Sequence, residues 1–148
     1  MSQFPNLMPK RVARIAAVQF MYEIEMTGRE MPSDEDLKEF VETYVEEKMS
    51  FSFFKKLVAD FQKDADYDEI IEKALEDGKT ISNSPPVEIC IIKTALAEMI
   101  FEKTDIPVII NEYVEIAKDF LDQKAAKFIN ALLDKISKTV ERKCQTKA

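Results

Sequence analysis

The apolar residues of the chain recur at the spacing of amphipathic α-helices. In the first predicted helix, from Lys10 to Met26, one face is apolar when residues are placed at roughly 100° intervals. Its members are Ala13, Ala16, Ala17, Phe20 and Ile24. Pro9 suits the first turn of this helix, and Gly28 suits the position just after its end, where the backbone often turns left-handed. The pattern therefore predicts a well-delimited helix near the start of the chain.

Six further helices are predicted by the same spacing and by residues that favour helix ends. Ser33, with Asp36 three residues later, resembles a capping box and begins a second helix that runs to about Lys48. The third begins after Ser50, the fourth runs from Asp64 or Asp66 to Gly78, the fifth runs from Ser84 to Lys103, and the sixth and seventh follow the turn at 105–107. The fifth is too poor in polar residues for a surface helix, so we place it at the centre.

Composition supports an all-helical fold. The chain has 148 residues, of which 46% are hydrophobic, and this is enough for a core without disulfide or metal cross-links. It has only two glycines, the residue on which tight β-turns and bulges depend. The expected fold class is therefore all-α, a compact bundle of about seven helices in one domain or in two small subdomains that share a core.

Charge is distributed unevenly along an acidic chain. The formal net charge is −7, and a uniformly negative surface would repel phosphates. Residues 1–22, however, contain three cations, Lys10, Arg11 and Arg14, and no acidic residue. Residues 135–148 contain five cations against a single acidic residue. Any contact with nucleic acid is therefore expected to be local.

The residue types that most enzymes and metal sites require are scarce. The chain has no histidine, which is the commonest general base and metal ligand, and two glycines are too few for a glycine-rich phosphate loop. Its runs of carboxylates are interpreted as solvated helix starts and faces. We therefore expect no catalytic residue, no bound metal and no cofactor.

Cysteine usage and hydropathy indicate a cytoplasmic protein. Cys90 lies in an apolar run and is interpreted as a small buried hydrophobic residue, whereas Cys144 lies in a polar tail. The two cysteines form no CxxC pair, which fits a reducing compartment. No signal peptide is visible at the N-terminus, and no apolar stretch approaches the roughly 20 residues of a membrane-spanning helix.

The basic start of the first helix is the main candidate for a binding site. Arg11 and Arg14 project to one side at a spacing of three residues, opposite the apolar face, and Tyr22 lies on the same side. The positive end of the helix dipole also favours a phosphate there. The alternative is that these cations only solvate a helix start, and the spacing alone favours this alternative over RNA contact.

Two longer stretches resemble a known family. Residues 10–22, KRVARIAAVQFMY, resemble the opening R-x-A-R-x-x-A-V-Q-x-L-Y of the NusB family. Residues 110–120, INEYVEIAKDF, followed by residues 127–136, KFINALLDKI, are similar to the closing I-N-E-x-(V/I)-E-L-A-K-x-F and K-F-V-N-G-V-L-D-K-I of that family. The order and separation of the stretches match, and the resemblance covers essentially the whole chain.

The resemblance implies a bacterial transcription factor with a single NusB-like domain over residues 1–148. Its N-terminal helical subdomain would span about residues 9–64, and its C-terminal helical subdomain would span about residues 65–142. The resemblance further implies pairing with the ribosomal small-subunit protein NusE and binding of that heterodimer to the boxA element of nascent RNA. The pair would join the transcription elongation complex and support antitermination, chiefly on ribosomal RNA operons.

The resemblance also implies site residues, position by position. RNA contact is implied for Lys10, Arg11 and Arg14 in the first helix and for Phe120, Lys124, Lys127 and Phe128 around the loop before the seventh helix. Partner contact is implied for Tyr22 and Glu88. Phe120 and Phe128 also lie on apolar arcs, which leaves a core position open for both. Glu88, in the first turn of its helix, alternatively serves only to favour the helix dipole.

Two other functions remain open as alternatives. Some ribosomal RNA cytosine methyltransferases carry a NusB-like domain, and the chain would then be a stand-alone relative of that domain. A protein-only helical adaptor, whose acidic middle binds a basic partner, is the other alternative. Self-association as a homodimer without NusE also stays open, because some family members self-associate.

Overall fold

The computed structural model describes residues 8–30, 32–76 and 78–143, and within these ranges it contains seven α-helices and no β-strand. The helices are α1 (Pro9–Thr27), α2 (Asp34–Tyr44), α3 (Phe51–Phe61), α4 (Tyr67–Ala74), α5 (Pro86–Phe101), α6 (Ile106–Phe120) and α7 (Gln123–Ser137). A short 3-10 helix, Ile81–Asn83, precedes α5. The prediction of an all-α fold with about seven helices is therefore confirmed.

Two of the predicted helix ends have the expected local chemistry. Gly28 follows α1 with a left-handed backbone (φ 65°), and its N–H donates to the carbonyl of Ile24. Ser33 begins α2 with a complete capping box, because its hydroxyl accepts from the N–H of Asp36 and its own N–H donates to the Asp36 carboxylate. These bonds hold the pKa of Asp36 below its usual value.

Two predicted helix ends are wrong, because the backbone becomes extended earlier than expected, at Val45 after α2 and at Leu75 after α4. The second helix ends at Tyr44 rather than about Lys48, and Ser50 then donates its N–H to the carbonyl of Pro9 at 3.2 Å. The fourth helix ends at Ala74 rather than Gly78, and the Glu72 carboxylate accepts the N–H of Ile81 at 2.9 Å beyond that end. Neither contact has a signal in the local spacing of apolar residues.

The described residues up to Ala59 form one compact unit around three aromatic rings. Phe20 of α1 contacts Phe40 of α2 and Phe54 of α3, with ring centroids 5.0 and 6.0 Å apart. Phe40 and Phe54 also contact each other, with centroids 6.1 Å apart. These rings hold α1 to both of the following helices.

The described residues from Asp60 onward form a second compact unit, in which α5 packs against α4, α6 and α7. From Ile89 to Ile100 every residue of α5 except Lys93 is buried, as its apolar sequence predicts. Cys90 is buried, as expected. The buried carboxylate of Glu98 on α5 accepts a 2.8 Å hydrogen bond from the Tyr113 hydroxyl on α6. This polar contact fixes α6 against α5 inside the core.

The end of α5 is closed by the segment that follows α7. Arg142 donates from Nε to the carbonyl of Met99 at 2.6 Å, and from one terminal nitrogen to the carbonyls of Glu102 and Thr104 at 2.5 and 2.7 Å. The N–H of Lys143 adds a 2.6 Å bond to the carbonyl of Ile100. A guanidinium thus satisfies carbonyls that the last turn of a helix leaves unpaired. Among the described residues, no helix is both long and apolar enough to cross a membrane.

Candidate functional site

The N-terminal basic cluster, defined as Lys10, Arg11 and Arg14, lies in the first two turns of α1. Lys10 is exposed, Arg11 is half-buried, and Arg14 is only 4% exposed. The expectation that Arg11 and Arg14 project together from the non-core side is therefore wrong for Arg14. Because no acidic residue lies in the first turn of α1, the cations and the helix dipole both favour an anion there.

Lys10 and Arg14 share one aromatic support, Phe53 of α3. The Lys10 Nζ lies 5.2 Å from the centroid of the Phe53 ring, and the Arg14 Cζ lies 5.0 Å from it. Both distances are within the range of a cation–π interaction. Phe53 is itself 7% exposed, so the ring is a buried floor beneath the cluster.

Local geometry explains why two cations reach one ring. Lys10 and Arg14 are four residues apart, so they lie one above the other on the same face of α1. The start of α3 is held beside the start of α1 by the bond from the Ser50 N–H to the carbonyl of Pro9. The Ser50 hydroxyl also accepts from the N–H of Phe53 at 3.4 Å, which fits the predicted start of the third helix after Ser50. Sequence reasoning missed Phe53 because no local pattern relates it to α1.

The second group of predicted RNA contacts surrounds the turn between α6 and α7. Phe120 is 38% exposed, so the alternative of a core position does not hold for it. Lys124 and Lys127 are exposed, and Phe128 is half-buried. Asp122 caps α7 by accepting the N–H of Ala125 at 2.7 Å, which makes this turn short and well defined.

The ammonium group of a lysine lies over the ring of Phe128. The Nζ of Lys79, in the turn after α4, lies 5.4 Å from the ring centroid of Phe128. Lys79 is exposed and Phe128 is half-buried, so this side of the ring is close to the surface. An aromatic face in this setting is suited to stacking with a base.

Glu88, a predicted partner contact, lies in the first turn of α5 and is half-buried. Burial raises the pKa of its carboxyl, the charge of Asp122 raises it further, and the charge of Lys124 lowers it. The turn before α7 therefore lies within electrostatic range of Glu88. Tyr22, the other predicted partner contact, is half-buried on α1.

The predicted residues fall into two groups, one in each compact unit. Lys10, Arg11, Arg14 and Tyr22 belong to the unit that ends at Ala59, and Glu88, Phe120, Lys124, Lys127 and Phe128 belong to the unit that begins at Asp60. In the first unit, Lys10 and Arg14 both lie over the ring of Phe53. In the second, Lys124 lies within electrostatic range of Glu88. Across the described ranges, no group of three or more acidic or cysteine side chains is placed to hold a metal ion.

The sequence matches the model of one protein family. Residues 11–138 match the family described as the NusB family. The chain is 30% identical over 141 residues to the transcription antitermination protein NusB of Desulfitobacterium hafniense, covering 92% of this chain and 93% of that protein. It is 34% identical over 143 residues to the protein of the same name from Histophilus somni, covering 93% of this chain and 96% of that protein.

Solved structures show the same similarity in three dimensions. The solution structure of NusB from Aquifex aeolicus has a TM-score of 0.73 and 30% identity, over 93% of this chain and 96% of that one. A chain in the crystal structure of antitermination factors NusB and NusE in complex with double-stranded RNA has a TM-score of 0.73 and 31% identity, over 88% of this chain and 96% of that one.

Proposed function

This chain belongs to the NusB family, and we propose that it is a transcription antitermination factor that binds RNA together with NusE. The observation that carries the proposal is the match along nearly the whole chain to proteins named transcription antitermination protein NusB. The structural similarity to a chain from a complex of NusB, NusE and double-stranded RNA supports the same partners. The RNA element that the family resemblance implies is boxA.

The N-terminal basic cluster is the first proposed RNA contact. Lys10 is exposed and Arg11 is half-exposed, so both are placed to meet phosphates directly. Arg14 is buried on Phe53, and its positive charge acts from beneath the surface. Three cations give only a modest affinity that depends on salt, so the cluster needs further contacts.

The turn between α6 and α7 is the second proposed RNA contact. Phe120 and Phe128 offer aromatic surface for unpaired bases, and Lys124 and Lys127 offer charge for the backbone. Single-stranded RNA is recognised by this combination of residue types. We place NusE at Tyr22 and Glu88, where the carboxylate of Glu88 suits a basic group of the partner.

A binding role without catalysis fits these residues. The relatives are named as antitermination proteins, and the chain has no histidine to serve as a general base. We propose that the protein acts with the transcription elongation complex, and hence in the cytoplasm. A protein-only adaptor is disfavoured by the structural similarity to a chain from a complex that contains double-stranded RNA.

The proposal is tested by removing the two accessible cations of the cluster. Lys10→Ala with Arg11→Ala is expected to weaken binding of boxA RNA to the NusE complex and to lower the salt slope by about 1.4, from about 0.7 per phosphate contact on a single strand. Formation of a 1:1 complex with NusE, measured by size-exclusion chromatography with light scattering, should not change. Lys38→Ala with Lys56→Ala removes the same charge from exposed positions of the same unit and serves as the control.

If the cluster variant and the control variant bind RNA equally well, the N-terminal basic cluster is not the RNA contact. If the unchanged chain forms no complex with NusE, the proposed function itself is wrong. The two results are separate, because complex formation is measured in the absence of RNA.

A further inference from the structure

A shallow groove of about 110 Å³ runs between the end of α4 and the outer face of α7. Its apolar lining consists of Ala74, Leu75, Ala131 and Leu132, and Phe128 adds an aromatic ring. Its charged lining consists of Lys79, Lys135 and Glu76. The groove is continuous with the turn that carries the second proposed RNA contact, since Phe128 belongs to both.

The two lysines of the groove differ from two nearby lysines in whether they form ion pairs. Within the described part of the chain, neither Lys79 nor Lys135 forms an ion pair. Lys73 pairs with Glu69 at 2.9 Å, and Lys138 pairs with Asp134 at 3.4 Å. The lining of the groove therefore carries two positive charges outside any described ion pair, against the single negative charge of Glu76, and they lie beside an aromatic ring.

We propose that this groove is a further RNA subsite, which takes one unpaired nucleobase against Phe128 and holds the flanking phosphates with Lys79 and Lys135. The proposal rests on the proposed function, because it extends the same RNA surface. Unstacked bases of single-stranded RNA are typically held by an aromatic face, while cations bind the adjoining backbone. A small apolar floor with one ring fits a single planar base.

Lys79 changes its contact when the base enters. In the unbound chain its ammonium lies over the Phe128 ring at 5.4 Å, where it gains a cation–π interaction. A base stacking on that ring replaces this contact, and the released ammonium meets a phosphate instead. Lys135 lies seven residues after Phe128, two turns along the same face of α7, and is placed for the next phosphate.

The test compares two double variants that remove the same charge. Lys79→Ala with Lys135→Ala empties the groove of its cations, whereas Lys73→Ala with Lys138→Ala removes two lysines that are exposed, lie in the same unit and are already paired. Affinity of each NusE complex for single-stranded boxA RNA is measured between 50 and 200 mM salt. Folding of every variant is checked by circular dichroism and thermal unfolding.

The groove variant is expected to bind several-fold more weakly, with a salt slope lower by about 1.4, and the control is expected to match the unchanged chain. Photocrosslinking of RNA that carries 4-thiouridine should label residues of the groove in the unchanged chain. Equal losses in both variants would mean that only overall charge matters, and unchanged affinity in both would leave the groove without a role; either result overturns the subsite.

Three outcomes separate a failure of the subsite from a failure of the proposed function. If the groove variant loses affinity for NusE and not for RNA, the groove belongs to the protein partner, and the proposal is wrong. If the unchanged complex does not bind boxA RNA at all, the proposed function fails, and the subsite fails with it. Binding by the unchanged complex with no groove effect removes the subsite alone.

Discussion

The guanidinium of Arg14 lies over the ring of Phe53, with its Cζ 5.0 Å from the ring centroid and the side chain almost fully buried. A buried cation is costly unless another group stabilises it, and an aromatic face does so more effectively away from water. The same ring contacts Lys10. Two cations at the basic start of α1 therefore lie against one aromatic ring that α3 provides.

Phe53→Leu tests the role of this ring. The substitution keeps an apolar side chain but removes the π face, so we expect the free energy of unfolding to fall by about 1–3 kcal/mol, measured by urea denaturation. RNA affinity of the NusE complex should fall several-fold, because Lys10 and Arg14 lose their common support. Phe51→Leu, on the same helix and half-buried, is the control. Equal effects of the two substitutions on RNA affinity would contradict the role of Phe53.

Arg142→Ala tests the closure of α5. The variant loses three hydrogen bonds from a charged donor to the carbonyls of Met99, Glu102 and Thr104. We expect a loss of about 1.5–3 kcal/mol in the free energy of unfolding. Arg29→Ala is the control, since its ion pairs are exposed and 3.7–3.9 Å long, and its cost should stay below about 1 kcal/mol. If Arg142→Ala lowers the free energy of unfolding no more than Arg29→Ala does, the hydrogen bonds of Arg142 do not stabilise the end of α5.

The substitution Glu88→Gln is expected to affect stability and partner binding differently. Burial, and then the charge of Asp122, raise the pKa of Glu88 above its usual value. A raised pKa means that its ionised form is less favourable in the folded chain than in the unfolded one, so its contribution to stability is present below the usual pKa of 4.5 and is lost as pH rises through the folded value.

At pH 7 the uncharged variant should therefore unfold with the same or a higher free energy than the unchanged chain. We expect the same variant to bind NusE more weakly, because a carboxylate that meets a basic group is missing. Isothermal titration calorimetry with NusE measures this effect. Full affinity for NusE in Glu88→Gln would exclude Glu88 from the partner site.

Much of the fold is predictable because local chemistry marks the ends of several helices. Gly28 and the pair Ser33–Asp36 act through bonds within four residues of one another, so the sequence alone reveals them. The end of α2 at Tyr44 is different. The segment after it bonds to the start of α1, through the N–H of Ser50 and the carbonyl of Pro9, and the spacing of apolar residues does not predict such a contact.

The sequence predicts which residues of the candidate site are charged. It predicts less well which of their side chains are exposed. Lys10 and Lys124 are exposed, as cations on a binding surface should be. Arg14 is buried against Phe53, which is 39 positions away in sequence and is brought close by the packing of α3. Phe120 is exposed although it lies on an apolar arc, because it ends α6 at the turn into α7.

The most direct test of the proposed function is the affinity of the chain for boxA RNA with and without NusE. Fluorescence anisotropy of a labelled boxA oligonucleotide gives both values at one salt concentration, and an oligonucleotide with a scrambled sequence gives the non-specific background. We predict that NusE raises the affinity of the chain for boxA at least tenfold and leaves the scrambled RNA little changed. The same affinity for boxA with and without NusE would contradict the proposal that the two proteins bind RNA as a unit.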